Sequence, residues 1–199
     1  LAFHTPDSIK TDSPYPWITL YYDLPQYMLE RGRKKKYGAY TILGWEGDPC
    51  PYCYFVVKGA VRYYISDKSG TVRTLGIVLP GAFLAEACIL VTKTWMFTAE
   101  TLTDSELYSF NYDELISLIE TDPKFAVQLV KALSVKMIVA LSWEKMAMEC
   151  AEDRVKKLLP RLESPPFQGL LSYHFTHQDI ADLVACHRVT VSKVMQKTR

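Results

Sequence analysis

The sequence predicts an α+β fold in three parts, and three observations carry that prediction. Seven of the nine glycines lie between Gly38 and Gly81, cutting residues 33–110 into short runs of β-forming residues. From Asp122-Pro123 onward no Gly or Pro interrupts the chain until about Cys150. From Phe175 to Arg199 the chain reads as two short amphipathic helices around a tight turn. Residues 1–30 add an irregular arm with a short helix near 24–30, because prolines and aromatics crowd between Pro14 and Tyr22.

The β runs fall at 54–57, 61–65 and 72–78. In the second, Val61, Tyr63 and Ile65 alternate with Arg62, Tyr64 and Ser66, the period of a half-buried strand. Many short strands separated by turns predict a barrel or jelly roll. The densest charge run, Arg31-Gly32-Arg33-Lys34-Lys35-Lys36, is read as the solvated face of the first strand; contact with nucleic-acid phosphates is the lesser reading.

Asn111 with Glu114 forms an N-cap pair for a helix over 112–120. Asp122 caps the next helix, with Pro123 at its first position. Running to about residue 150, that helix would be about 40 Å long. Val130, Leu133, Met137, Ala140 and Leu141 make its apolar stripe, which Ile138, Val139 and Trp143 widen. A helix this apolar needs partners on two sides, the β part on one and the same helix of a second subunit on the other. A shorter helix over 152–162 ends at Ser164-Pro165-Pro166, and 170–175 reads as a strand.

At the C-terminal end Thr176 and Asp179 read as a capping box. Ile180, Ala181, Leu183 and Val184 form the apolar face of the first helix, and Ala185-Cys186-His187 form the turn. In the second helix Val191, Val194 and Met195 recur at helical spacing, while Arg188, Thr190, Ser192, Lys193 and Lys197 stay polar. From Ala185 onward there are four Lys or Arg and no Asp or Glu. Such a helix suits the DNA major groove. This end of the chain points to gene regulation rather than to the transformation of a substrate.

Bulk properties fit that reading. With 199 residues, 49% of them hydrophobic, the chain can bury a core, and its net charge of +1 leaves any attraction to DNA to a local patch. No uninterrupted apolar run of about 18 residues exists, so no membrane span is expected. No secretory signal is read at the start, and five irregularly spaced cysteines argue for a cytoplasmic protein with reduced thiols. The chain begins without Met and stops soon after its last helix, and is read as part of a longer protein. His4, His174, His177 and His187 make no metal spacing. No Ser-His-Asp, P-loop or paired-carboxylate arrangement argues for catalysis, so neither enzyme activity nor a metal or cofactor is expected.

Six short blocks, in order, resemble the cyclic-AMP receptor protein and fumarate-nitrate regulator superfamily, CRP/FNR, over roughly 33–199. They are Tyr37-Gly38-Ala39-Tyr40-Thr41-Ile42, Glu46-Gly47-Asp48, the run 54–62, Leu79-Pro80-Gly81-Ala82-Phe83 with Ala85-Glu86, Thr176-His177-Gln178-Asp179-Ile180-Ala181, and the run 188–194. The resemblance implies an arm and effector-sensing β-roll over 1–120, a dimerisation helix over 121–150, and an incomplete winged helix-turn-helix over 151–199, its wing outside this sequence. It implies a homodimer on double-stranded DNA with a palindromic operator, a small-molecule effector, and RNA polymerase as a further partner. DNA-contacting positions are then Thr176, His187, Arg188, Val189, Thr190, Ser192, Lys193 and Lys197.

Departures from the family pattern sharpen the reading. Cyclic-nucleotide-binding members pair the cyclic phosphate with an Arg about ten residues after the ribose-contacting Glu. Here Glu86 is kept, but that place falls near Phe97, with no cation nearby in sequence except Lys93. A buried phosphate would lack its counter-charge. The adenine-contacting positions align near Val139 and Ala140. Glu86, Trp95, Phe97, Thr98, Val139, Ala140 and Trp143 are therefore read as lining a site for a small hydrophobic or aromatic effector and not cyclic AMP. The alternative is that Trp95, Phe97 and Trp143 fill a solid core. In the last helix Val189 stands where many members have a cytosine-reading Glu; it can touch a thymine methyl and favours an A/T-rich half-site. The string 187–192 is similar to that of the family's organohalide-respiration regulators. Ala185 replaces the usual turn Gly, and His187 takes the N-cap place.

Cys50-Pro51-Tyr52-Cys53 matches a glutaredoxin-type motif, but it precedes a strand rather than opening a helix, which argues against a thiol-disulfide oxidoreductase. Cys50 and Cys53 remain redox candidates for a thiol-sensing regulator on the same fold, beside the reading of two ordinary loop thiols. Residues 1–49 hold no Cys, so the arm cluster of the iron–sulfur members is absent.

Overall fold

The computed structural model describes residues 26–162 and 173–198. After a short helix α1 (Gln26–Leu29) come strands β1 (Arg33–Tyr37), β2 (Ile42–Gly44), β3 (Cys53–Lys58), β4 (Val61–Ser66), β5 (Val72–Val78), β6 (Phe83–Leu84), β7 (Thr98–Thr101) and β8 (Ser105–Phe110). A π-helical turn, Cys88–Thr92, separates β6 from β7. The helices α2 (Tyr112–Thr121), α3 (Pro123–Ala147), α4 (Ala151–Leu162), α5 (His177–Val184) and α6 (Arg188–Thr198) follow. The strands form two antiparallel sheets, in the orders β1-β8-β3-β6 and β2-β7-β4-β5. This is the jelly-roll arrangement the glycine punctuation predicts, joined to helices as an α+β fold.

Alternation along the strands feeds three separate cores. Tyr54, Val56, Val61, Val78, Ala99 and Leu107 point between the sheets. Cys53, Phe55, Phe83 and Phe110 point outward from the first sheet onto α1, α2 and the first half of α3. Ile77 and Leu79 point outward from the second sheet onto the second half of α3 and onto α4, α5 and α6. The sheet edges turn tightly where the sequence permits it. Gly59 has φ +87°, and a Cβ there would lie 2.2 Å from Ser105 Oγ, so only Gly fits between β3 and β4. β1 is the exposed strand its Lys run predicts, with Lys34 paired to Glu106 on β8 at 2.9 Å.

Helix boundaries follow their caps. Asn111 and Glu114 exchange side-chain and backbone hydrogen bonds at the start of α2, and the Asp122 carboxylate accepts from Lys124 N and Phe125 N at the start of α3. α3 ends at Ala147, short of the expected residue 150. By length and composition alone it is long and apolar enough to cross a membrane, although its apolar residues are interrupted by Lys131 and Lys136. Its hydropathy has a structural cause, because two faces are apolar. Phe125, Leu129, Ala132, Val135, Val139, Trp143 and Met146 are buried against the chain. Val127, Val130, Met137, Ile138 and Leu141 are exposed on the opposite face. Leu133, placed in the open stripe by periodicity, instead packs against the α2-side core.

The C-terminal helices follow their signals as well. Thr176 and Asp179 form the capping box of α5, and Ala185 ends α5 at φ 52°, ψ 60°. The 170–172 part of the expected strand lies outside the described residues, and Tyr173–Phe175 are not assigned to a strand. The arm before residue 26 also lies outside them.

An Ala at a left-handed position is strained, and Gly removes the strain at some cost in unfolded-chain entropy. Ala185→Gly is expected to raise stability by about 0.5–1 kcal/mol. Urea denaturation giving an unchanged or lower midpoint would show that the turn is not strained.

Candidate effector site and nucleic-acid interface

β6 delivers its chain directly into the candidate effector site. Ala85 follows at φ 65°, a left-handed backbone that swings Glu86 inward until its side chain is 1% exposed. A buried carboxylate needs a counter-charge. Lys136, on α3, supplies it: its ammonium donates to Glu86 Oε1 and, at 2.9 Å, to Phe83 O. The cation is fifty residues from Glu86 in sequence, which is why the neighbouring sequence offers only Lys93. Lys93 itself lies over the Tyr112 ring, 4.9 Å from its centroid.

The aromatic residues do gather inside the roll, but not all those expected. Trp95 is buried, stacked on Tyr54 at 6.2 Å and edge-on to Phe97 at 5.7 Å; Phe97 in turn lies 4.9 Å from Tyr63. The Trp95 ring presses on the backbone of Gly44, where a Cβ would fall 2.1 Å from it. Burial, with the Glu86 charge nearby, pushes the Tyr63 hydroxyl well above the ordinary phenol range. Thr98 is buried and accepts from Glu46 N at 3.2 Å.

Val139 and Trp143 lie elsewhere. They pack on the outer face of β5, in the core shared with α4–α6, and Trp143 donates its indole N–H to Leu75 O at 3.1 Å. Ala140 is exposed. The expected lining therefore divides: Glu86, Trp95, Phe97 and Thr98 belong to the roll, while Val139 and Trp143 belong to the contact between the roll and the C-terminal helices. The cause is that the second half of α3 crosses the outside of the second sheet. Lys136 is the α3 residue that reaches Glu86.

Cys50 and Cys53 are both buried, but in different cores. Cys53 opens β3 and faces the α2-side core, whereas Cys50 faces the roll interior together with Cys88. Burial pushes the Cys53 thiol far up.

On the nucleic-acid side, α6 buries Val191 and Val194 against α4 and α5. His187, Arg188, Val189, Lys193, Gln196 and Lys197 are exposed, Val189 at 64%. Thr190 is half-buried. Two expected contacts are already engaged within the fold. Ser192 Oγ lies 2.9 Å from His177 Nδ1, and the Thr176 hydroxyl donates to Asp179 at 2.6 Å. Lys197 is 3.7 Å from Glu152, both largely exposed. The turn is held from α4, where Arg154 donates to Ala185 O at 2.9 Å. Sequence reasoning missed Arg154 because its partner lies 31 residues away.

Helix α5 rests on the roll. Ile180, Ala181 and Val184 of α5 pack with Ile77 and Leu79. Beside them Arg62 of β4 pairs with Glu100 at 2.7 Å and approaches Asp179, the capping residue of α5, at 4.0 Å. This second covering explains why β4 shows half-burial on both faces rather than clean alternation.

Residues 34–122, which hold the roll and α2, match the model of the cyclic nucleotide-binding domain. The cyclic AMP receptor protein of Thermus thermophilus is 29% identical over 76% of this chain and 69% of its own length. A transcriptional regulator of the CRP/FNR family, also from Thermus thermophilus, has a crystal structure matching at TM-score 0.69 and 25% identity, over 83% of this chain and 84% of its own. The chain is a homologue of the CRP/FNR transcription regulators. The c-di-GMP responsive global regulator CLP of Xanthomonas campestris shares the fold at TM-score 0.73, with 23% identity over 85% of this chain and 87% of its own. The CRP/FNR likeness thus extends through both the roll and the helices.

Removing one partner of a buried ion pair typically costs about 3–5 kcal/mol. Lys136 is 36% exposed, so water screens part of that. Lys136→Met is expected to destabilise the protein by about 2–3 kcal/mol, and adding Glu86→Gln to recover most of the loss. Equal midpoints for Lys136→Met and the parent in urea denaturation would show that the pair is not integral to the fold.

Proposed function

We propose that the chain is an effector-gated, sequence-specific transcription regulator that binds a two-fold-symmetric DNA operator as a homodimer in the cytoplasm, with RNA polymerase as a further partner. The observation that carries this reading is α6, which buries Val191 and Val194 while presenting Arg188, Val189 and Lys193 outward. Arg188 suits bidentate contact with guanine, and Val189 suits a thymine methyl, hence an A/T-rich half-site. The open face of α3 supports the dimer. Val127, Val130, Met137 and Leu141 follow one another at steps of three, seven and four residues, the seam spacing of a paired helix.

The effector reading is a small hydrophobic or aromatic molecule rather than cyclic AMP. Tyr54, Tyr63, Trp95 and Phe97 supply aromatic surface in the roll, and Phe97 stands where cyclic-nucleotide-binding members have Arg. The Lys136 charge is already matched by Glu86, so a phosphate gains no free cation from it. An effector acts only by binding one arrangement better than another. Lys136 gives it a lever, since the residue joins the site to the helix that carries the dimer face.

Arg188→Ala is expected to erase about 1–3 kcal/mol of preference for the specific half-site, while Lys193→Ala weakens binding with more even effect across sequences. Parent-like discrimination by Arg188→Ala in competition binding would sink the assignment of α6. Leu141→Asp, on the exposed face, is expected to give a monomer by sedimentation; an unchanged dimer would move the interface elsewhere. Titration calorimetry is expected to register no cyclic AMP binding in the micromolar range, and a micromolar complex would overturn the effector reading.

A further inference from the structure

The roll interior holds a pair of thiols that the Cys50-Pro51-Tyr52-Cys53 motif does not single out. Cys50 and Cys88 are 3% and 2% exposed and belong to the same core. One residue ties their backbones together. Cys50 N donates to Lys93 O at 2.9 Å, and Lys93 N donates to Cys88 O at 2.7 Å. An isolated β-bridge between Pro49 and Thr94 reinforces the same junction. The Cys50 thiol donates to Tyr52 O at 3.4 Å, and Cys88 lies in the same core. Cys53, although three positions from Cys50, points through the sheet to the other side.

The pair is chemically asymmetric. The neighbouring Cys50 side chain, aided by the Met96 backbone, outweighs burial and holds the Cys88 thiol below its ordinary range. The same contact and burial push Cys50 up, so Cys50 keeps its proton. Cys88 is the nucleophile of such a pair and Cys50 the resolving partner. The cover over them is thin, since Lys93, Thr94 and Met96 in the adjoining loop are exposed, Met96 at 57%. A small oxidant has a short path; a protein oxidant does not.

We propose that Cys50 and Cys88 form a reversible intramolecular disulfide under a small peroxide oxidant, making this junction a modification site of the sensor roll. The step balances. Cys88 Sγ attacks one peroxide oxygen, the O–O bond breaks, and hydroxide leaves to become water, giving a Cys88 sulfenic acid. Cys50 Sγ then attacks the Cys88 sulfur; the S–S bond forms, the S–O bond breaks, and the Cys50 proton leaves with the hydroxyl as a second water. Two thiols lose two electrons and two protons in all, and one peroxide becomes two waters. The bond would join the loop before β3 to the turn that begins two residues after Glu86.

The test uses the full chain, reduced and freed of reductant, then treated with hydrogen peroxide. Remaining thiols are alkylated in denaturant and the peptides mapped by mass spectrometry. Exposed Cys150 reports that oxidant was delivered. The expected result is a Cys50–Cys88 cross-link that dithiothreitol reverses, with Cys53 still alkylated. Cys53→Ser is expected to form the same cross-link, and Cys88→Ser to form no intramolecular disulfide at Cys50. Should Cys88→Ser not fold, the parent map alone decides. Alkylation of both Cys50 and Cys88 after Cys150 is fully oxidised overturns the proposal, as does a Cys50–Cys53 cross-link.

Discussion

Helix α3 buries one face of seven residues, and that face must satisfy two cores at once. Phe125, Leu129 and Ala132 close the outside of the first sheet; Val135, Val139, Trp143 and Met146 close the outside of the second and meet the C-terminal helices. A jelly roll with both sheets apolar on their outer faces cannot stand alone in water, because Phe55, Phe83, Ile77 and Leu79 would lie open. The placement of α3 therefore fixes the roll, the C-terminal helices and the orientation of the opposite, exposed apolar face together. Any rotation of α3 about its axis would disturb both cores, and close-packed interiors resist such change by moving between discrete arrangements rather than deforming smoothly.

This constraint gives the Glu86–Lys136 pair its importance. The carboxylate is buried and the ammonium partly wet, so the pair is asymmetric in its cost. Its Coulomb attraction pins α3 at Lys136 to the turn after β6, between the half of the helix that serves the first sheet and the half that serves the second. Further along the same helix, Trp143 holds Leu75 O, and Met146 touches the core that contains Ile180 and Val184 of α5. A continuous packed path thus joins Glu86, through Lys136 and α3, to the C-terminal helices. The Arg62–Glu100 pair, with Asp179 nearby, marks the second contact between the roll and α5. The core at the end of the α3 route holds Ile180 and Val184 of α5 together with Val191 and Val194 of α6, and the left-handed turn at Ala185 between those helices is braced by Arg154.

Much of the fold is legible in the sequence because its signals are local. Asn111 with Glu114, Asp122 with Pro123, and Thr176 with Asp179 each act within three residues, so spacing alone places the helix starts. The exposure of Val189 and Arg188 follows from the burial of Val191 and Val194 on one helix face. What the sequence hides is the identity of partners. Periodicity gives a face, not the surface it meets, so it puts Leu133 with the open stripe, and alignment puts Val139 in the roll lining although it packs in the core shared with α4–α6. Lys136 and Arg154 act on groups 50 and 31 residues away, and no local pattern marks such pairs. Cys50 draws attention to Cys53 because they are neighbours in sequence, yet their side chains face opposite sides of the first sheet.

Strain is distributed to match this division of labour. Ala85 and Ala185, like Tyr40 and Lys93, adopt the left-handed backbone that Gly occupies more cheaply, Ala85 at the turn after β6 and Ala185 between α5 and α6. Each is held in place by contacts that over-determine it: the buried Glu86 with Lys136 in the first case, the Arg154 bond to Ala185 O and the Cys186 N–H to Ala181 O in the second. Strained positions persist where surrounding structure enforces them, and they cluster where a fold changes state. Ala85 lies near one end of the packed path along α3 and Ala185 beyond the other, while α3 itself is unbroken from Pro123 to Ala147.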